Sequence, residues 1–454
     1  MSTFGLMRRP QHRQIEDLNP GQALRHDGSH YDTYRRMQAT LRLACDLGDA
    51  GVKKVAPHLV RFISDNRNLR VAWDHMCRCG GRSAGPDEQQ LLTIPDQSIW
   101  PWLRKLRLDL SSERYRVSED DEFVCRIPKG PGRGERFVTI QSQEHRLAQR
   151  AALQILDPLL DPKLDSLCFG GRLRRGPHLA LATAERLFVN EDRRVWVTED
   201  LRDAFCRVPI SRLLQILAMH IPDEGTVKLV QRMLAGSRTP GLRQGGALSP
   251  LLLAVYLEHV LVRKWRKLHP DVPLLLYIDD ILLLCRSTDE ARVARRSLAE
   301  LLNGTGMELK GTEKSSVREL VSSRPAEWLG YQIRRQSEEL VVQVPNKALD
   351  RLGDQLALER DTVVASPVEA RLRSTWVSWL NYYAPCVDLQ EAREWIYSRA
   401  KEMARNRNLP QLDFDSFVEM SRDAVERWAR VRQRAALRSR VDHDEVISPE
   451  WLSA

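Results

Sequence analysis

Three observations predict an α+β fold. Residues 274–284 hold two short apolar runs on either side of Asp279-Asp280, the pattern of two buried strands joined by a tight turn. Residues 123–127 and 136–140 are rich in β-branched and aromatic residues and flank a Gly-rich loop, which reads as a second hairpin. Long stretches with helical periodicity, 144–160, 251–268 and most of 341–440, lie between and after these strands.

The chain has 454 residues, enough for two to four domains, and 42% hydrophobic residues, enough for packed cores. Lys and Arg number 70 against 61 Asp and Glu, a net charge of +9. Such a balance suits a polyanionic partner. No apolar run approaches the length of a spanning helix, so a membrane partner is not expected. The first ten residues carry two arginines and no apolar segment, so a signal peptide is not expected either. The eight cysteines are scattered, and Cys77 and Cys79 have no second pair with which to build a zinc site. A reduced, cytoplasmic protein is expected.

Residues 1–30 read as a loose polar arm, and 31–69 as helices. A glycine-bearing loop, 80–87, ends in Gly85-Pro86-Asp87. The hairpin at 123–140 carries Lys129 and Arg136 at its base. Arg offers forked contacts to phosphate and Lys a point charge, although a basic hairpin is more often simply solvated. The helix 144–160 ends near Pro158 and Pro162. Gly170 and Gly171 precede Arg172, Arg174 and Arg175. The strand 195–201 brings up two acids, and its period of two turns Glu199 away from the face of Asp200. Phe205 follows five residues after Asp200. Before the helix 251–268 stands Arg243-Gln244-Gly245-Gly246-Ala247-Leu248-Ser249-Pro250, in which Ser249 is the predicted N-cap and Pro250 lies in the first turn. Beyond the acidic hairpin come a helix at 291–302, the segment 306–315 with Lys314, and Trp328-Leu329-Gly330-Tyr331. Trp376, Trp379, Leu380, Tyr382 and Tyr383 read as core. Six arginines between 427 and 440 read equally as a solvated face or a nucleic-acid contact.

Asp279 and Asp280 have no neighbouring base, so two adjacent carboxylates there would repel unless cations joined them. Hard divalent cations take oxygen ligands, and Mg²⁺ is commonly held by one or two carboxylates plus substrate phosphates. An ordinary Asp-Asp turn is the alternative.

Tyr277-Ile278-Asp279-Asp280 in its apolar hairpin resembles the palm motif of reverse transcriptases. Residues 243–251 are similar to the QGGPLSPLL motif of group II intron enzymes. Six further segments resemble that family's motifs in its order: 68–87, 123–140, 169–176, 195–209, 306–315 and 328–331. The resemblance covers about 66–390.

That resemblance implies a right-hand polymerase: fingers, a palm of antiparallel sheet plus helices, and a helical thumb. The corresponding bounds are an N-terminal helical extension at 1–65, fingers at 66–190, palm at 191–340, and thumb with basic C-terminal extension at 341–454. It implies an RNA-directed DNA polymerase using two Mg²⁺ ions, with Mn²⁺ as a substitute. Asp200, Asp279 and Asp280 are the expected metal ligands, with Leu201 beside them, and Lys314 the general acid for pyrophosphate departure. Lys129, Arg136, Phe205, Gln244 and Gly245 would meet the incoming nucleotide, with Phe205 beneath its sugar. Arg172, Arg174 and Arg175 would follow the template, and Trp328, Gly330 and Tyr331 the primer. The expected partners are an RNA template, the DNA product and deoxynucleotides. Ile278 departs from the alanine usual in intron enzymes, and no Cys/His cluster after Cys386 suggests an endonuclease segment. A free-standing enzyme copying a dedicated noncoding RNA in antiviral defence is expected, with DNA repair synthesis or an RNA-binding maturase-like scaffold as alternatives.

Overall fold

The computed structural model describes residues 14–25, 28–79, 83–128, 135–236, 238, 240–320, 325–362 and 367–441. They fall into two compact units, each drawn from three separate stretches of chain. One uses residues up to 165, 203–263 and 304–307; the other uses 166–202, 264–303 and 308 onward.

The first unit is mainly helical. The helices His30–Asp46, Asn66–Cys79 and Gln143–Leu160 pack through Met37, Leu41, Leu69, Leu147, Ala151 and Ile155, all buried. Ser29 opens the first helix with a reciprocal cap: its side chain accepts from the Asp32 amide, and the Asp32 carboxylate accepts from the Ser29 amide at 2.8 Å. Two buried amides are matched to each other rather than left orphaned. Asn68 Nδ2 donates to the Ala151 carbonyl at 3.1 Å, and Gln154 Nε2 donates to Asn68 Oδ1 at 2.8 Å.

The predicted hairpin is present as strands β1 (Glu122–Pro128) and β2 (Glu135–Gln141), paired antiparallel from Glu122↔Gln141 to Pro128↔Glu135. Arg136 lies opposite Ile127, while Lys129 and the loop between the strands lie outside the described residues. The helix after the Gln244-Gly245 segment starts at Ser249, and its N-cap is Leu248, with no side-chain cap. Ser249 is thus the first helical residue instead of the predicted cap, because Pro250 fits the opening turn one place further in. The helix passes through a π turn, Glu258–Val262, before ending at Leu268.

The second unit contains strands β3 (Cys168–Phe169), β4 (Val195–Asp200), β5 (Leu274–Tyr277), β6 (Asp280–Cys285) and β7 (Val317–Glu319), in the order β3-β5-β6-β4-β7. The β3–β5 pair is parallel and the others antiparallel. Strand β6 is the middle of five, which explains why Ile281–Cys285 is apolar on both faces and wholly buried. The helix Pro177–Glu191 packs on β3, β5 and β6; the helix Thr288–Leu302 packs on β4, β6 and β7. A second sheet follows, β8 (Ala326–Trp328), β9 (Tyr331–Gln336) and β10 (Glu339–Gln343), in the order β10-β9-β8.

Helices Asn346–Asp361, Val368–Tyr383, Arg393–Asn406 and Phe414–Val441 complete this unit. Trp376, Trp379, Leu380 and Tyr383 are buried in its core. The last helix begins at Phe414, ahead of the arginine-rich stretch 427–440. It buries Phe417, Ala424, Trp428 and Ala435, at helical spacing, and exposes Arg427, Arg430 and Arg434. Among the described residues no helix is long and apolar enough to cross a membrane.

Candidate catalytic site

Strand β4 ends on Asp200 and β6 begins on Asp280, and the antiparallel register sets these two residues directly opposite each other. They are far apart in sequence and are joined only by the sheet. The β5–β6 turn is two residues long, Ile278 and Asp279, between the paired Tyr277 and Asp280. Asp279 therefore occupies the turn, whereas Asp280 already belongs to the strand. The Asp279 carbonyl accepts from the Leu201 amide at 3.0 Å, which ties the turn to the residue after Asp200. Ile278 has φ of +59°, in the left-handed region that two-residue hairpins require. Gly170, itself at φ +69°, lies hard against this turn: a Cβ there would stand 2.6 Å from Ile278 Cγ1 and 2.9 Å from the Ile278 amide nitrogen.

One wall of the site is the segment 308–316. The Arg202 amide donates to the Glu308 carbonyl at 2.8 Å, and the Lys310 amide to the Asp200 carbonyl at 2.9 Å. Lys310 then turns its ammonium onto the same aspartate, with Nζ 2.7 Å from Asp200 Oδ2. Glu199 points to the other face, as the strand period requires, and its side chain is 0% exposed. It accepts from Arg295 Nε at 2.8 Å, from Ser316 Oγ at 2.6 Å and from the Gly311 amide at 3.2 Å. Arg295 also donates to the Gly311 carbonyl at 2.8 Å. A buried carboxylate with three donors is well compensated.

These groups surround a cleft of about 260 Å³ lined by Asp200, Asp280, Lys310, Ser315, Glu327 and Trp328, among others. Tyr277 stands at its edge in sequence. Its hydroxyl is held above the ordinary tyrosine range by burial first and by the Asp280 charge second. Among the described residues no cluster of three or more His, Cys, Asp or Glu side chains forms a metal cage. Two facing carboxylates in an open cleft still match the way Mg²⁺ is usually bound, by one or two carboxylates with the rest of its shell from water and substrate oxygens. The donor set thus fits a hard divalent ion.

The remaining expected residues divide. Gln244 and Gly245 lie along β2: the Thr139 amide donates to the Gln244 carbonyl at 2.8 Å. Gly245 has φ +119°, and a Cβ would sit 2.6 Å from the Thr139 carbonyl oxygen, so glycine is required. Phe205 is half-buried, not sealed in the core, and its carbonyl accepts from the Leu242 amide at 2.7 Å. Arg174 is exposed, at φ +60°. Arg172 is buried and donates to the Cys168 carbonyl at 2.8 Å, while Arg175 donates to the Ser166 carbonyl at 2.7 Å. These two arginines brace their own loop. Trp328 and Tyr331 are likewise buried, flanking the Leu329-Gly330 turn, both of whose residues have positive φ. Tyr382 Oη donates to the Leu329 carbonyl and Tyr331 Oη to the Tyr382 carbonyl, each at 2.6 Å. Lys314 is exposed on the short helix Glu313–Ser316, and the lysine lining the cleft is Lys310.

Sequence reasoning missed Lys310, Arg295 and Gly170 at this site. A lysine four residues before a motif lysine gives no signal of its own, and Arg295 reads as an exposed helical residue. It also missed Arg243, which is buried, ion-paired with the buried Glu122, and bonded to the Met233 carbonyl at 3.0 Å.

Residues 127–333 match the family described as Reverse transcriptase (RNA-dependent DNA polymerase). An uncharacterized 91 kDa protein in the cob intron of Schizosaccharomyces pombe is 27% identical over 166 residues, 34% of this chain and 20% of that protein. The group II intron-encoded protein LtrA of Lactococcus lactis subsp. cremoris is 27% identical over 143 residues, 30% of this chain and 24% of that one. The chain thus spans about a fifth to a quarter of the length of these curated relatives. Among solved structures, apo telomerase from Candida tropicalis aligns with a TM-score of 0.38 at 12% identity, covering 68% of this chain and 62% of that one. The family match at 127–333 takes in Asp200, the Gln244-Gly245 segment, the Asp279-Asp280 turn and Lys310, so this stretch of the chain is similar to the reverse transcriptases, group II intron-encoded proteins among them.

Proposed function

We propose that this chain is an RNA-directed DNA polymerase whose active site is the Asp200–Asp280 pair. The observation that carries the reading is the register Asp200↔Asp280, which joins carboxylates from two separate motifs at the mouth of one cleft. Asp200 and Asp280 would hold Mg²⁺, with Asp279 and the Leu201 backbone beside them and Mn²⁺ as a substitute. When bound, a pair of such ions lowers the barrier to in-line attack of a primer 3′-hydroxyl on the α-phosphate. The chain's own part is positional. The five-stranded sheet, as the palm, fixes the two carboxylates. The Gln244-Gly245 backbone, held on β2, would approach the nascent base pair. Phe205 would exclude a 2′-hydroxyl, Arg136 and Lys129 would take the triphosphate, and Lys314 would supply a proton to the leaving pyrophosphate. Arg174 would contact the template, and the Leu329-Gly330 turn the primer. The site's donors are hard oxygens throughout, which supports Mg²⁺ over a softer metal.

The test is primer extension on an RNA template with deoxynucleotides and Mg²⁺. Asp200→Asn and Asp280→Asn should each reduce extension by about 10³-fold or more, in line with loss of a main electrostatic contribution, while leaving the melting temperature near that of the parent. Near-normal extension by either variant would refute the assignment and favour an RNA-binding scaffold. For the natural partner we propose a dedicated noncoding RNA copied in antiviral defence; the basic net charge of +9 supports an RNA partner of some kind. Sequencing RNA and cDNA that copurify with the chain identifies that template.

A further inference from the structure

We propose that Lys310 is a built-in counter-cation of the metal site, holding Asp200 in the ion-free enzyme and setting how tightly a divalent ion binds. The inference rests on the metal-binding reading above. Three observations carry it. Lys310 Nζ lies 2.7 Å from Asp200 Oδ2, so a cationic group already sits on a carboxylate that a metal would need. Both partners line the cleft that Asp280 also lines. The backbone that presents the lysine is fixed from two sides: the Lys310 amide bonds the Asp200 carbonyl at 2.9 Å, and the next residue, Gly311, donates its amide to the buried Glu199 at 3.2 Å. Arg295 Nε bonds the same Glu199 at 2.8 Å, so the loop is clamped to β4 rather than draped over it.

The side chain is a different matter. Lys310 is 51% exposed and Asp200 38%, so the ion pair is solvent-screened and exchangeable, not locked. A Lys ammonium is a compact point charge on a flexible stem, able to swing off the carboxylate while the backbone stays put. In the ion-free state it relieves the repulsion between Asp200 and Asp280. For an ion to bind, the ammonium must give up Asp200 Oδ2, and that competition weakens metal affinity. Lys310 is thus a positioning residue acting through Asp200, distinct from Lys314.

The experiment is Mn²⁺ binding to the full chain without nucleotide, read by electron paramagnetic resonance of free Mn²⁺. Lys310→Met, which keeps the stem and removes the charge, should lower the Mn²⁺ Kd about fivefold, the weight of a half-exposed ion pair. Lys310→Arg should stay near the parent value. Asp200→Asn should abolish the binding in parent and Lys310→Met backgrounds alike. In EDTA the Lys310→Met melting temperature should fall, because Asp200 then loses its ammonium partner, and added Mn²⁺ should restore it. An unchanged or weaker Mn²⁺ affinity in a folded Lys310→Met protein overturns the inference and leaves the metal site standing. Parent binding that Asp200→Asn does not reduce overturns the metal site itself, and the inference with it.

Discussion

Ile278 carries backbone strain for the acidic turn. A β-branched residue at φ +59° is a conformational outlier, and such positions cost about 1–3 kcal/mol where the surroundings enforce them. What enforces this one is the pairing on both sides, Tyr277↔Asp280 within the hairpin and Asp200↔Asp280 across to β4. Gly170 closes the remaining side at a distance no Cβ tolerates. Gly170→Ala should therefore act on the turn. The left-handed φ alone costs about 1–2 kcal/mol for a residue with a Cβ, which lowers the melting temperature by several degrees. The displaced Ile278 should move Asp279 and Asp280, and primer extension should fall about tenfold or more, since a misplacement near 1 Å can cost 10² in rate. Melting curves and single-turnover extension on the same preparation separate the two effects. Loss of stability with undiminished extension would show that the turn tolerates the shift. The acids at this turn were legible in the sequence. The strain at Ile278 was not, because a left-handed φ at a β-branched residue follows from pairing partners supplied by distant segments.

At the scale of elements, His178 links three helices of one unit. It sits in the first turn of Pro177–Glu191. Its Nε2 donates to the Tyr382 carbonyl of Val368–Tyr383 at 3.0 Å, and its ring meets Trp428 of Phe414–Val441 edge-on, centroids 5.9 Å apart. Burial holds the imidazole below its ordinary range, and the Tyr382 carbonyl offsets this only in part. A lowered histidine pKa means the unfolded chain binds the proton first as pH falls. The stabilisation is present above the unfolded value of about 6.5 and is lost as pH drops below it toward the folded one. His75, His145 and His220 are shifted the same way by burial. The melting temperature should accordingly fall between pH 7 and pH 5, and His178→Phe should flatten part of that dependence. Melts across pH 5–8 check it; an unchanged slope in His178→Phe would place the titration at the other histidines. The helices themselves were readable from their periodicity.

For the whole molecule, the interleaving of the chain matters most. Each compact unit is built from three stretches, and the sheet that bears Asp200 and Asp280 takes strands from all three stretches of its unit. Pairings of this sequence separation are slow to form and depend on a correct register throughout. The charge is also a property of the whole: +9 overall. RNA affinity should therefore be salt-dependent, falling about tenfold or more between 50 and 200 mM salt through counterion release. Fluorescence anisotropy with a labelled RNA measures this, and an affinity flat across that range would contradict a phosphate-dominated interface.

Sequence alone determined the α+β class, the strand pairs flanking the acids and the motif order, because period-two and period-3.6 patterns and short motifs are local properties. It also separated Asp200 from Glu199, since alternation along one strand decides that. Tertiary structure alone decided that Asp200 faces Asp280, that Glu199 clamps the 310–316 wall, that Arg172 and Tyr331 are buried braces, and that Lys310 is the lysine on Asp200. Each of those depends on register and loop packing between segments up to about a hundred residues apart, and no local pattern encodes the distance between two side chains that meet only when the sheet closes.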